Sequence, residues 1–166
     1  LQNVRKMDML ATIEKLREIG AYVEMKDDLL HVHGASQLRP VEIVTYPFPG
    51  LATDMQAQFM ALLAQAKGSS QIIETIYPER FMHAAELTRL GAQIHIDRNT
   101  ARITGPTAYR GAKVMASDLR ASAALVLAGL AARKTTEIQR VYHLDRGYEK
   151  VEEKLEQVGA RIWREK

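Results

Sequence analysis

The sequence contains no cysteine, and that absence removes several classes of function at once. Neither a disulfide framework, nor a cysteine-based zinc site, nor a thiol nucleophile can be built from these residues. Aromatic residues are scarce, at 6%, and no strand offers a set of exposed rings on which bases could stack. No block of Lys and Arg forms a basic arm: the net charge of +3 is spread along the chain. A nucleic-acid partner is therefore not expected. The most apolar run, Ala121 to Ala132, is shorter than the roughly 20 residues a bilayer span needs, so no membrane partner is expected either. No secretory signal is visible at the start of the sequence, and the expected location is cytoplasmic.

What is present is enough for a packed interior. The 166 residues are 46% hydrophobic and 26% charged, a balance that excludes a disordered chain and suits one globular domain. The stretch Pro47 to Gln65, PFPGLATDMQAQFMALLAQ, organises the reading. A Pro-x-Pro-Gly turn leads into a helix expected from Asp54 to about Ala66, with Thr53 and Gln56 spaced as a capping box. Asp54 then lies in the first turn, where the helix dipole and unpaired N–H groups favour a carboxylate. By itself such a residue is an ordinary helix start.

The rest of the chain repeats itself. Apolar positions Met9, Leu10, Ile13, Leu16 and Ile19 predict a helix stopped by Gly20, followed by a hairpin of AYVEM and LLHVH that ends at Gly34. Pro40 to Thr45 is expected to be a further strand. The phrase L-R-E-I-G-A at Leu16 to Ala21 returns as L-T-R-L-G-A at Leu87 to Ala92 and as L-E-Q-V-G-A at Leu155 to Ala160. Between these lie two alanine-rich helices, from Asp54 and from Asp118 to about Ala132. Each is followed by an expected strand, QIIETIY and TEIQRVY. Asp118 stands 64 residues after Asp54, a period that marks an internal structural repeat.

Each unit reads helix, strand, helix, strand, strand. The expected fold is α/β with mixed sheets, in repeated units of pseudo-threefold symmetry around central buried helices. The division is a partial repeat over about 1–45, a full repeat over about 46–110 and a final repeat over about 111–166, in a single domain. With two and a half units, the chain is expected to be a fragment of something larger, with an open sheet edge.

The blocks TDMQAQFMALL, ETIYPERFMHAAEL, GAKVMASDLRASAALVLAGL and VYHLDRGYEKVEEKLEQVGA resemble the C-terminal part of the bacterial UDP-N-acetylglucosamine 1-carboxyvinyltransferases, a family of enolpyruvyl transferases. The resemblance runs from Met7 to Trp163. It implies an inside-out α/β domain, one of two in the enzyme, with ligands in the cleft between domains. It implies transfer of the enolpyruvyl group of phosphoenolpyruvate to the 3-hydroxyl of UDP-N-acetylglucosamine, the first committed step of peptidoglycan synthesis. No cofactor and no metal are implied. The partners implied are the two substrates and the missing N-terminal domain of the same protein.

On that resemblance Asp54 matches the candidate general base beside the sugar hydroxyl. Ile76, through its backbone, and Tyr77 match positions lining the nucleotide-sugar site. Arg146 matches the arginine that grips the phosphate of phosphoenolpyruvate, for which a forked guanidinium is suited. Asp118, Arg120 and Arg80 match further cleft residues. The family's reactive cysteine, with a lysine and an arginine of the phosphate site, belongs to the other domain, so the isolated chain is expected to be inactive. Ala52 and the pair Arg133-Lys134 depart from the family pattern in turns.

Bland alternatives stand beside each residue. Arg146 alone reads as a solvated loop residue, and Asp118 with Arg120 as a surface ion pair. His31 and His33 share the spacing of a metal pair but lack a third ligand nearby, so they read as surface histidines. His83 and His143 read as structural hydrogen-bonders. Met55, Met60, Met82 and Met115 read as core. As a whole, the chain reads alternatively as a non-catalytic sugar-nucleotide binding or regulatory module of the same fold.

Overall fold

The computed structural model describes residues 1–165. Helix α1 (Lys6–Ile19) buries Ile13 and Ile19 and stops at Gly20, whose φ of 113° lets its N–H close back on Leu16 and Arg17. An antiparallel hairpin of β1 (Tyr22–Lys26) and β2 (Leu29–His33) follows. The same phrase folds the same way in the second unit. Helix α3 (His83–Arg89) meets a left-handed Gly91, and β5 (Gln93–Asp97) and β6 (Thr100–Gly105) form the matching hairpin. The two hairpins turn on Asp27 and Arg98, at φ 54° and 53°. In the third phrase Gly159 is again left-handed, after helix α6 (Val151–Glu156), but no strand follows among the described residues.

A mixed four-stranded sheet has the order β3-β4-β6-β5, where β3 (Glu42–Val44) runs parallel to β4 (Gly68–Ile73) and the other pairs are antiparallel. A parallel pair, β7 (Lys113–Met115) and β8 (Glu137–Gln139), frames the last unit. Helices α2 (Gln56–Leu63) and α4 (Leu119–Ala131) pack on each other, α2 also on β4 and β6 and α4 on β8. Ala57, Ala61, Ala124 and Ala128 are buried in the same core as Ile43, Ile72 and Ile103. Small side chains let these helices approach closely and fill the centre.

Several expectations need correction. The strand expected through QIIETIY ends at Ile73, so Ile76 and Tyr77 lie in a loop. TEIQRVY yields only Glu137–Gln139, and Tyr142 opens a short helix, α5 (Tyr142–Asp145). The alanine-rich helices are not covered all round: Leu127 and Leu130 of α4 are 44% and 39% exposed. Leu127 lines a groove with Leu16 of α1 and Met55 and Leu62 beside and on α2. Met60 is core, but Met82 and Met115 are exposed. Met115 closes strand β7 and Met82 stands just before α3, so neither lies on the apolar face of a helix.

Candidate active site

Asp54 belongs to a 3₁₀ turn, Thr53–Met55, that precedes α2, not to α2 itself. The expected capping box is absent. Thr53 lies inside the turn, behind an extended Ala52, and its hydroxyl donates to Glu74 Oε2 at 2.9 Å. Gln56 is fully buried, and neither polar atom of its amide has a hydrogen-bond partner among the described residues. Asp54 is exposed and held by two arginines. Arg120 Nε donates to Asp54 Oδ1 at 2.8 Å, with Nη2 at 2.8 Å from the same oxygen. Arg80 Nη1 donates to that oxygen at 3.1 Å and to Thr53 Oγ1 at 3.1 Å.

Glu74 fixes this corner, and sequence reasoning missed it. Its side chain is fully buried at the end of β4. Oε1 accepts from Thr45 Oγ1 at 2.8 Å and from the backbone N–H of Ile76 and of Tyr77 at 2.9 and 3.0 Å, while Oε2 accepts from Thr53. The available signal was an acid set in an apolar strand run, QIIETIY, because a buried carboxylate is tolerated only with such a set of donors. The N–H of Ile76 is thereby occupied, which leaves its carbonyl for any ligand. Tyr77 is exposed, and the Arg80 guanidinium stacks 4.1 Å above its ring.

Asp118 is the N-cap of α4: its Oδ1 accepts from the N–H of Arg120 at 2.8 Å and of Ala121 at 3.1 Å. The ion pair with Arg120 that the bland alternative offered does not form: the cap takes Asp118, and the guanidinium reaches Asp54 in the neighbouring unit. Burial pushes the Asp118 carboxyl up, but these N–H groups, the Ser117 hydroxyl and the nearby His83 outweigh burial and hold it below its ordinary range. His83 is buried, and its Nε2 has no partner among the described residues, contrary to the expected hydrogen-bonder. Burial lowers it to about 4, against the pull of Asp118 and with the push of Arg80, so it is neutral near pH 7.

Arg146 follows α5 and lines a cavity of about 240 Å³ with Ser117, Asp118, Leu119, Arg120 and His143. Its turn is seated firmly. Leu144 is buried, the Tyr148 hydroxyl accepts from Gln58 at 3.3 Å, and a Cβ at Gly147 would stand 2.9 Å from Leu119 Cδ2. The site thus has two parts that share Arg120: a corner of Asp54, Arg80 and Tyr77, and a cavity of Asp118 and Arg146. Among the described residues no three His, Asp or Glu side chains gather as a metal site, and no helix is long and apolar enough to cross a membrane.

Two acids and three arginines thus gather where units of this helix-and-hairpin fold meet. The enolpyruvyl transferase NikO from Streptomyces tendae superposes with a TM-score of 0.86 at 34% identity, over 93% of this chain and 36% of that one. EPSP synthase from Acinetobacter baumannii, at 20% identity and a TM-score of 0.73, shares the fold. A sequence model of EPSP synthase (3-phosphoshikimate 1-carboxyvinyltransferase) matches residues 1–155, and the chain belongs to that family. It is 62% identical over 156 residues to a UDP-N-acetylglucosamine 1-carboxyvinyltransferase of Anaeromyxobacter sp. (strain Fw109-5), and 56% identical over 156 residues to the one of Methylacidiphilum infernorum (isolate V4). The match takes in 94% of this chain but 37% of each relative's length.

Proposed function

We propose that this chain supplies one wall of the active-site cleft in an enzyme that moves the enolpyruvyl group of phosphoenolpyruvate onto the 3-hydroxyl of UDP-N-acetylglucosamine. The reaction opens peptidoglycan synthesis in the bacterial cytoplasm. The observation that carries the reading is the pairing of Asp54 with Arg120, 66 residues apart in sequence, beside the cavity that holds Arg146. A polypeptide with only a structural use for these residues has no reason to gather them on an open face.

In this reading the chemistry is addition followed by elimination. Asp54 takes the proton from the sugar hydroxyl; the arginine contacts fall on Oδ1, so Oδ2 is the oxygen that faces the hydroxyl. Arg120 and Arg146 hold the phosphate and, when the C–O bond to it breaks, bear the charge that returns to it. Tyr77, braced by Arg80, stacks on the nucleotide sugar, and Ile76 contributes its carbonyl. The acid that protonates the methylene carbon comes from the second domain, a further partner of this chain, and as phosphate leaves that carbon gives up a proton to restore the double bond.

Fragment complementation tests the proposal. The chain, mixed with both substrates, is expected to release phosphate at the background rate. Adding the remaining two thirds of the Anaeromyxobacter relative, made separately, should raise that rate, and Asp54→Asn in this chain should abolish the gain. Turnover by the chain alone would refute the one-wall reading. Saturable binding of UDP-N-acetylglucosamine without reassembled activity would favour the non-catalytic module instead.

A further inference from the structure

The C-terminal tail ends in a charge cluster that lies next to the site and has no part in the reading above. Arg164 Nη1 donates to Asp145 Oδ2 at 3.0 Å, and its Nη2 donates to Asp145 Oδ1, so both oxygens of that carboxylate are occupied by one guanidinium. Its Nε lies 2.6 Å from Glu152 Oε1, and Nη2 donates to Glu152 Oε2 at 3.2 Å. Every oxygen of both acids is taken by Arg164. The tail reaches this point along a fixed path, since Ile162 packs on the cluster of Ala123, Val126 and Leu144.

Asp145 is the residue immediately before Arg146. Neighbouring side chains at a helix end diverge, but a carboxylate one residue away that lacks a partner of its own adds negative charge beside the guanidinium and weakens it as a receptor for phosphate. Among the described residues Arg146 enters no salt bridge. The acid beside it is instead engaged by Arg164. The hydrogen bond from Arg164, ahead of a small opposing effect of burial, holds the Asp145 carboxyl below its ordinary range, so the charge to be masked is present at neutral pH.

We propose that Arg164 is a positioning residue for Arg146: by engaging Asp145 and Glu152 it keeps their carboxylates from competing for the Arg146 guanidinium, which stays open to a phosphate-bearing ligand. The proposal rests on reading the cavity of Asp118, Arg120 and Arg146 as a phosphate site. Losing Arg164 leaves the turn with two uncompensated acids. At this exposure the effect of such charge on an anion bound at Arg146 is about three- to tenfold in affinity.

The test is a titration of the 166-residue chain with inorganic phosphate, followed by the Nε–Hε resonance of Arg146, with thermal unfolding as a check of integrity. Wild type should show a saturable shift. Arg164→Gln should weaken phosphate about three- to tenfold, and adding Asp145→Asn to that variant should restore most of the affinity. A brace that merely holds the tail would not be rescued by removing the acid, so a loss that persists in the double variant overturns the proposal. Unchanged affinity in Arg164→Gln overturns it as well, while the phosphate site stands. No response of Arg146 in wild type overturns the reading of the cavity itself, and the role of Arg164 with it.

Discussion

Glu74 is the buried acid on which the corner of the site is assembled, and replacing it gives the sharpest prediction. In Glu74→Ala the N–H groups of Ile76 and Tyr77 and the hydroxyls of Thr45 and Thr53 all lose their acceptor. The hydroxyls can adapt: Thr45 Oγ1 still accepts from Thr75 N–H at 2.9 Å, and Thr53 Oγ1 from Arg80. The amides cannot turn. Tyr77 is exposed, so water can reach its loop, while Ile76 is half-buried. One stranded amide and the lost charged bonds together make the cost about 3 kcal/mol. That is a large part of the 5–15 kcal/mol typical of a domain. Glu74→Gln keeps an oxygen for the two amides and loses only the acceptor for Thr53, at about 1 kcal/mol. Urea unfolding followed by circular dichroism reads both numbers. An alanine variant within about 1 kcal/mol of wild type, or a glutamine variant as damaged as the alanine one, would refute the reasoning.

The remaining predictions concern the cap, the buried histidine and the shared arginine. Asp118→Ala removes the cap of α4 and should cost about 1 kcal/mol in the same urea assay. Because the folded carboxyl lies below its unfolded value of 3.8, this stabilisation is present above pH 4 and is lost as pH falls further. His83 sits at about 4 when folded and 6.5 when unfolded, so the unfolded chain binds the extra proton between those values. Stability should fall by about 2 kcal/mol from pH 7 to pH 5, and His83→Gln should flatten that slope. Arg120→Gln breaks an exposed pair and should change stability by less than about 1 kcal/mol. Yet it should lower phosphate release by the reassembled enzyme roughly 100-fold. Equal damage to both readouts would make Arg120 a structural residue.

Much of this arrangement was legible in the sequence, for a local reason. The repeated L-x-x-x-G-A phrases encode a helix stop that only a left-handed glycine completes, and Gly20, Gly91 and Gly159 all adopt it. The alanine-rich helices announced a crowded centre. What failed was anything decided by partners distant in sequence. Thr53 has the spacing of a capping residue, but Glu74, 21 residues on, takes its hydroxyl. Asp118 and Arg120 have the spacing of an ion pair, but the cap and Asp54 claim them separately. Met82, expected in the core, precedes α3 and is 67% exposed. Local pattern fixes which elements form; competition among tertiary donors and acceptors decides what their polar ends do.

That competition explains why the site is built from ion pairs of little strength. Asp54 is 57% exposed as a side chain, and its arginines 26% and 32%, so each pair contributes well under about 1 kcal/mol to folding. A deeply buried cluster would hold its geometry better, but several kcal/mol would be needed to separate its members when a ligand entered. Here Arg120 is aimed by its place in the first turn of α4, and Arg80 by Thr53 and the Tyr77 ring. The Arg80 guanidinium thus has neutral partners besides Asp54, whereas that of Arg120 is held by Asp54 through exposed contacts. A phosphate can draw Arg120 away from Asp54 at small cost, and the same movement uncovers the carboxylate. If the proposed function holds, the arrival of phosphate frees Asp54 to act as the base, and the order of binding should be visible in the reassembled enzyme as a larger affinity for the sugar nucleotide in the presence of phosphate than in its absence.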